Sequence, residues 1–259
     1  MAPVLQNVKA LASHHTDWPR RLWLVRHGES AGNLALNQAE RAGAATIEIE
    51  GRDIDVPLSE LGQRQADAVG RWFERRDEQP SVILSSPYAR ALQSMQRIAH
   101  RLSEPTPQCS VDERLREREF GELNRFTKAG ILARFPEEAR RRSDLGKFYY
   151  RPPGGESWCD VVLRLRSVVQ DLQLNHAGER VLIVAHQVVV LCFRYVLEEL
   201  DEERLLAIDR EGEVANCSIT SFRFSRRRAR LELMEYNFVA PLEEAGQPVT
   251  AAPDPAVDK

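Results

Sequence analysis

Apolar residues fall along the chain in two alternating rhythms. Short runs without a polar break, Leu22-Trp23-Leu24-Val25, Val82-Ile83-Leu84 and Val181-Leu182-Ile183-Val184, are too brief for helices. Such runs predict strands buried on both faces, as in a parallel sheet. Between them, apolar residues recur every three or four positions: Ala66, Val69, Trp72 and Phe73; Ala91, Leu92, Met95, Ile98 and Leu102; Val161, Val162, Leu165, Val168, Val169 and Leu172. That spacing predicts amphipathic helices. Ser59 is placed to cap the first of them, and Pro87 falls in the first turn of the second. Further helices are expected over the Ala-rich stretch Leu34 to Ala45, near Lys128 to Phe135, and from Val188 to Leu197, with a small strand over residues 108 to 111. Residues 215 to 224 and 230 to 238 alternate apolar and polar positions on either side of Arg226 to Arg228, the pattern of a hairpin.

Strands alternating with helices predict the α/β class: a mostly parallel central sheet with helices on both faces, closed by the C-terminal hairpin. Residues 1–19 read as an N-terminal arm or short helix, 20–239 as a single catalytic domain, and 240–259, rich in Pro, Gly, Glu and Ala, as a disordered tail. His14 and His15 fall in the arm and read as a solvated pair.

Composition narrows the function classes. The 259 residues are 42% hydrophobic and 29% charged, with a net charge of -3. Nothing in that balance marks a nucleic-acid binder, and no apolar run is long enough to span a membrane. Four cysteines without CxxC spacing argue against a zinc site or a disulfide framework. With no secretory leader pattern at the start, a cytoplasmic protein is expected, either monomer or homodimer.

The chemistry concentrates where strands end. Arg26-His27-Gly28-Glu29-Ser30 follows the first strand directly, and His186 follows the Val181 strand in the same way. In a parallel sheet all strand C-termini lie on one edge, so both imidazoles should face one crevice. Arg26 disfavours an imidazolium at His27 and suits a neutral histidine that attacks an anion. Arg90, just inside the helix after the second strand, adds a guanidinium fork matched to phosphate oxygens.

The segment Arg26-His27-Gly28-Glu29-Ser30 with Asn33 resembles the signature of the histidine phosphatase superfamily, in its phosphoglycerate mutase-like branch. Pro57 to Gly62, Ser85-Ser86-Pro87 to Arg90, Leu115 to Gly121, Gly154-Gly155-Glu156-Ser157 and His186 follow in that family's order. The resemblance implies that His27 becomes phosphohistidine, that Arg26, Asn33, Arg90 and His186 hold the phosphate, and that Glu117 protonates the leaving oxygen. Glu113, Glu119 and Glu122 compete for that last role. Gln187 replaces the Gly found after the second histidine in many relatives, as in the bisphosphatase domain of enzymes that hydrolyse fructose 2,6-bisphosphate, and is counted among the phosphate-binding residues. The run from Lys147 to Ser157 resembles the same group and makes Tyr150 and Arg151, with Arg52, candidates for substrate or lid contacts.

Leu34 to Gly51 reads as an insertion beside the pocket that should cap or narrow its entrance. The expected protein is a metal-independent phosphatase without a cofactor, acting on a small phosphorylated metabolite. A phosphoglycerate mutase, and a member that binds phosphorylated ligands without catalysis, remain as alternatives.

Overall fold

The computed structural model describes residues 18–102 and 106–251; residues 1–17, with the expected arm and its histidine pair, and residues 252–259 lie outside them. The three apolar runs form strands β1 (Arg21–Arg26), β2 (Val82–Ser85) and β4 (Arg180–Ala185), joined by β3 (Gln108–Val111), β5 (Ile219–Ser225) and β6 (Arg230–Phe238). Among the described residues they make one sheet of six strands in the order β3-β2-β4-β1-β5-β6. β1, β2, β3 and β4 pair in parallel; β5 and β6 are the antiparallel hairpin, with β5 against β1. The expected α/β class, mostly parallel with a C-terminal hairpin, is observed.

Alternation along the strands builds a core on each face. Leu22, Leu24, Val181 and Ile183 point to the side covered by α6 (Trp158–Asn175) and α7 (Gln187–Leu197), where Trp158, Leu165, Val189 and Phe193 are buried. Trp23, Val25, Leu182 and Val184 point to the other side, against Val69 and Phe73 of α2 (Glu60–Glu74) and Met95 and Ile98 of α3 (Ala89–Ala99). Each such aliphatic or aromatic side chain taken from water contributes roughly 1.5–3 kcal/mol, so the sheet that carries the strand ends is the best-anchored part of the molecule.

Ser59 caps α2 as expected, its side chain accepting from the Gly62 N–H. Several boundaries differ. The first helix, α1, spans Ala31–Arg41 rather than 34–45, because Ser30 and Asn33 form a reciprocal capping box that starts it early. Pro87 lies before the N-cap Tyr88, outside α3. Strand β5 begins at Ile219, not 215; residues before it form an irregular connection in which Cys217 adopts a positive φ of 56°.

The disordered tail is corrected over residues 240–251. α9 (Ala240–Glu244) buries Pro241 and Leu242, and the backbone oxygen of Thr250 accepts from the Asn216 N–H at 2.8 Å. Leu242 enters the core beside α2 and α3, with Ala245 packed against the same cluster. The inserted segment is not a loose loop either. Leu36, Ala39 and Ile47 form a small cluster. The segment is pinned to the start of α4 (Lys128–Arg134) by Thr127 Oγ1 donating to Ala44 O at 2.6 Å and by Ile47 N donating to Arg125 O at 2.8 Å. Gly130 permits this approach, since a Cβ there would lie 1.9 Å from Ala45 O.

Candidate active site

The parallel strands end on one edge and deliver their next residues together. His27 N donates to Ala185 O at 2.9 Å and Ser86 N to Val184 O at 3.0 Å, which extends the ladder by one residue beyond β1 and β2. The rings of His27 and His186 stand 5.2 Å apart at 63°. Both histidines are fully buried, as are Arg26 and, at 1% exposure, Arg90.

His27 Nδ1 lies 2.6 Å from Gly28 O. A carbonyl oxygen only accepts, so Nδ1 carries the proton of this contact and Nε2 of the neutral ring holds the lone pair. Gly28 is required at this turn, because a Cβ would meet Gly62 O at 2.4 Å. Gly28 N is in turn fixed by Ser94 Oγ at 3.0 Å.

Arg26 is held from behind. Its Nη1 donates to Val214 O at 2.6 Å and to Gln187 Oε1 at 3.2 Å, and Gln187 Nε2 donates to Glu213. Gln187 thus orients the guanidinium. Asn237 keeps this backing loop in place, its Nδ2 donating to Glu213 O at 3.1 Å and its Oδ1 accepting from Ala215 N at 2.8 Å.

On the other side, Arg90 grips Asp53: Nη1 donates to Oδ1 at 3.1 Å and to the backbone oxygen at 2.9 Å, and Nη2 to Oδ2 at 3.3 Å. Its Cζ lies 4.7 Å from the ring centroid of Tyr88, whose ring is 5.1 Å from that of His186. Burial, then the nearby Glu119, Asp53 and Glu117 carboxylates, push the Tyr88 phenol far up, so it stays neutral. His186 Nε2 lies 2.8 Å from Ser86 Oγ and its Nδ1 3.5 Å from Glu117 Oε2. Glu117 is 2% exposed and accepts from Arg118 N at 2.7 Å through Oε1. Of the four competing acids, Glu117 is the one beside a histidine.

Asn33 is buried in the same cluster, with Oδ1 accepting from Ser30 N at 3.0 Å. The structure therefore gathers Arg26, His27, Asn33, Arg90, Glu117, His186 and Gln187. It does not bring in Arg52 and Arg151. Arg52 faces solvent and pairs with Asp55 at 2.7 Å; Arg151 is 62% exposed and pairs with Asp160. Tyr150 is buried, but in a neighbouring cavity, with its hydroxyl donating to Glu138 at 2.9 Å. Burial and that bond push its phenol up to about 12.

Sequence reasoning missed Asp53, Ser86, Tyr88 and Asn216. Ser86 and Tyr88 were visible as the turn after the second strand. Asp53 and Asn216 carry no local signal, because their partners lie 37 and 189 residues away. Among the described residues, no group of three or more His, Cys, Asp or Glu side chains is arranged to hold a metal ion. The cations of the pocket are guanidiniums, which neutralise phosphoryl oxygens directly. Among those residues, no helix is long and apolar enough to cross a membrane.

Two imidazoles and two guanidiniums thus meet at the carboxyl edge of this sheet. The chain belongs to the histidine phosphatase superfamily, branch 1, whose family model matches residues 22–237. It is 33% identical over 174 residues to 6-phosphofructo-2-kinase/fructose-2,6-bisphosphatase of Caenorhabditis elegans, covering 67% of this chain and 33% of the relative. The chain thus spans about a third of that bifunctional protein. It is 32% identical over 198 residues to 2,3-bisphosphoglycerate-dependent phosphoglycerate mutase 2 of Gloeobacter violaceus, covering 73% of this chain and 81% of the relative. Among solved structures, a mycobacterial glucosyl-3-phosphoglycerate phosphatase with inorganic phosphate superposes with a TM-score of 0.65 at 28% identity, over 86% of this chain and 99% of the other.

Proposed function

We propose that the protein is a metal-independent phosphatase that hydrolyses a small phosphorylated metabolite through a phosphohistidine on His27. The observation that carries this reading is the contact between His27 Nδ1 and Gly28 O, which leaves Nε2 as the nucleophile in a pocket lined with cations. In the first step the Nε2–P bond forms as the bond from phosphorus to the leaving oxygen breaks. Glu117 gives its proton to that oxygen. Arg26, Arg90 and His186 neutralise the equatorial oxygens. In the second step the Glu117 carboxylate takes a proton from water, whose oxygen attacks phosphorus. The P–N bond breaks, releasing inorganic phosphate and neutral His27.

The organic part of the substrate would lie in the cavity of about 530 Å³ that Arg118, the residue after Glu117, helps to line. Phe120, Leu123 and Ile131 give that cavity an apolar wall, and Arg118, Lys128 and Arg142 give it positive charge. This favours a substrate whose carbon skeleton carries a second anionic group. The inserted segment, docked on the start of α4, restricts the same side of the molecule.

The test is rapid quenching with phosphorus-labelled substrate. An acid-labile, base-stable adduct that is absent from His27→Ala supports the reading. Phosphate release by His27→Ala at the native rate sinks it, and loss of activity on metal chelation sinks the metal-independent part. The similarity to the Gloeobacter mutase keeps a second reading, transfer between two hydroxyls of one substrate. Isomerisation of a phosphoglycerate without phosphate release would establish it.

A further inference from the structure

Residues 247–251 lie against the back of the catalytic loop. There it meets two buried amides, Gln65 of α2 and Asn216 ahead of β5, both with no exposed surface. Gln65 Oε1 accepts from Glu29 N at 2.9 Å, while its Nε2 donates to Pro248 O and to Thr250 Oγ1, each at 3.0 Å. Asn216 Nδ2 donates to His27 O at 3.1 Å and lies 3.4 Å from Asn33 Oδ1. Its Oδ1 accepts from Thr250 Oγ1 at 3.0 Å, and its N–H donates to Thr250 O at 2.8 Å.

A hydroxyl has one proton and two lone pairs. Thr250 Oγ1 receives the Gln65 amide and so directs its single proton to Asn216 Oδ1. That fixes which end of the Asn216 amide faces the active site: the NH₂ end, toward an oxygen of His27 and an oxygen of Asn33. A flipped amide would set Oδ1 against two other oxygens and leave it without a donor, while His27 O and Asn33 Oδ1 would keep their donors from Cys217 N and Ser30 N. The orientation of Asn216 also fixes Asn33, whose Oδ1 is turned toward the Ser30 N–H and Asn216, so its own NH₂ end turns away from them.

We propose that Thr250, acting through Asn216 and Gln65, is a positioning residue for the phosphate pocket. One hydroxyl near the C-terminal end sets two amides that hold the backbone at His27 and Glu29 and the side chain of Asn33. The proposal concerns the geometry of the site and rests on the preceding reading only where turnover is the readout.

The test compares the full-length protein with Thr250→Val, which keeps the shape and loses the hydroxyl, and with Thr250→Ser, which restores it. Three quantities are measured: hydrolysis of p-nitrophenyl phosphate, the melting temperature, and the His27 ring tautomer from ¹⁵N chemical shifts. Thr250→Val is expected to lower kcat about tenfold, with a smaller change in KM, because misplacing a nucleophile costs rate rather than binding. Its His27 signals should move away from the Nδ1–H form, and Thr250→Ser should recover both. Native kcat and tautomer in Thr250→Val, whatever its melting temperature, would overturn the proposal, as would a Thr250→Ser no better than Thr250→Val. If the native protein hydrolyses no phosphoester, the phosphatase reading fails instead. The tautomer comparison then decides the positioning role alone.

Discussion

Asp53 occupies the fork of Arg90 that a phosphate would use, and replacing it with asparagine separates the two ligands. Asp53→Asn keeps the side-chain shape and the backbone acceptor at 2.9 Å but removes the negative charge. A phosphate dianion held by Arg90 with Asp53 still in place would sit about 6 Å from that carboxylate. At an effective dielectric of about 40, between surface and bulk values, the repulsion is about 2.8 kcal/mol. The Asp53 side chain is 22% exposed, so solvent and salt reduce this roughly by half, to about 1.4 kcal/mol, which is tenfold in affinity. The unliganded protein pays in the other direction. A buried guanidinium deprived of its counter-ion costs about 1–3 kcal/mol, and the melting temperature of a chain this size falls roughly 2–4 °C per kcal/mol. Isothermal titration with inorganic phosphate, with thermal melts at rising phosphate, reads both effects. The variant should melt lower without phosphate, bind it about tenfold more tightly, and regain more stability than the native protein as phosphate is added. A variant that binds phosphate no better than the native protein would refute the competition and make Asp53 a supporting partner of Arg90 instead.

Glu117→Gln should bind phosphate as the native protein does yet lose about 10²–10⁴ in kcat on an alkyl phosphate, and far less on p-nitrophenyl phosphate, whose leaving group needs no proton; equal losses on both substrates would remove Glu117 from the acid role. Gly28→Ala should lower soluble yield and melting temperature sharply, because the atom its Cβ would meet at 2.4 Å is backbone and cannot rotate away; a native melting curve would contradict the close approach. The Asn175 amide, against an opposing cost of burial, and then Arg114 hold the Asp171 carboxyl below its ordinary value. The stability Asp171 lends is therefore complete above its unfolded value near 3.8 and lost as pH falls through the depressed one. Asp171→Asn should be less stable at pH 7, with a deficit in denaturant melts that closes at lower pH; a deficit constant down to pH 2 would be inconsistent with that coupling.

The parts of the site that could be read from the chain are those where local pattern and topology coincide. His27, His186 and Arg90 each follow a short apolar run, and a parallel sheet brings the ends of such runs together whatever lies between them. Elements with weak apolar stripes escaped. α5 (Pro136–Leu145) buries none of its side chains, and α8 (Glu202–Glu211) buries Leu205 and Asp209 alone, so neither shows a periodic face. Arg151 looked like a pocket residue because the run from Lys147 to Ser157 resembles the bisphosphatase group. The capping box of α6 supplies a nearer carboxylate, Asp160, which claims it. Asp53, Asn216 and Thr250 act over long sequence separations through single hydrogen bonds, and nothing in their neighbours announces such a bond.

The charges around the pocket explain why its two carboxylates behave differently. The pocket sets two guanidiniums, Arg26 and Arg90, with two acids, Asp53 and Glu117, whose formal charges cancel. A phosphate dianion upsets that balance, and the two acids answer in separate ways. Asp53 lies on a partly exposed turn ahead of Val56 with its carboxylate on Arg90, so its charge would oppose a phosphate held by the same cation. Glu117 is buried against His186, with one oxygen already fixed by a backbone N–H. That bond keeps it in place beside the histidine. The expected outcomes are a rise in phosphate affinity when Asp53 loses its charge and a fall in rate when Glu117 loses its acid. Opposite responses from two carboxylates in one pocket would distinguish a site for phosphoryl transfer from one that only holds an anion.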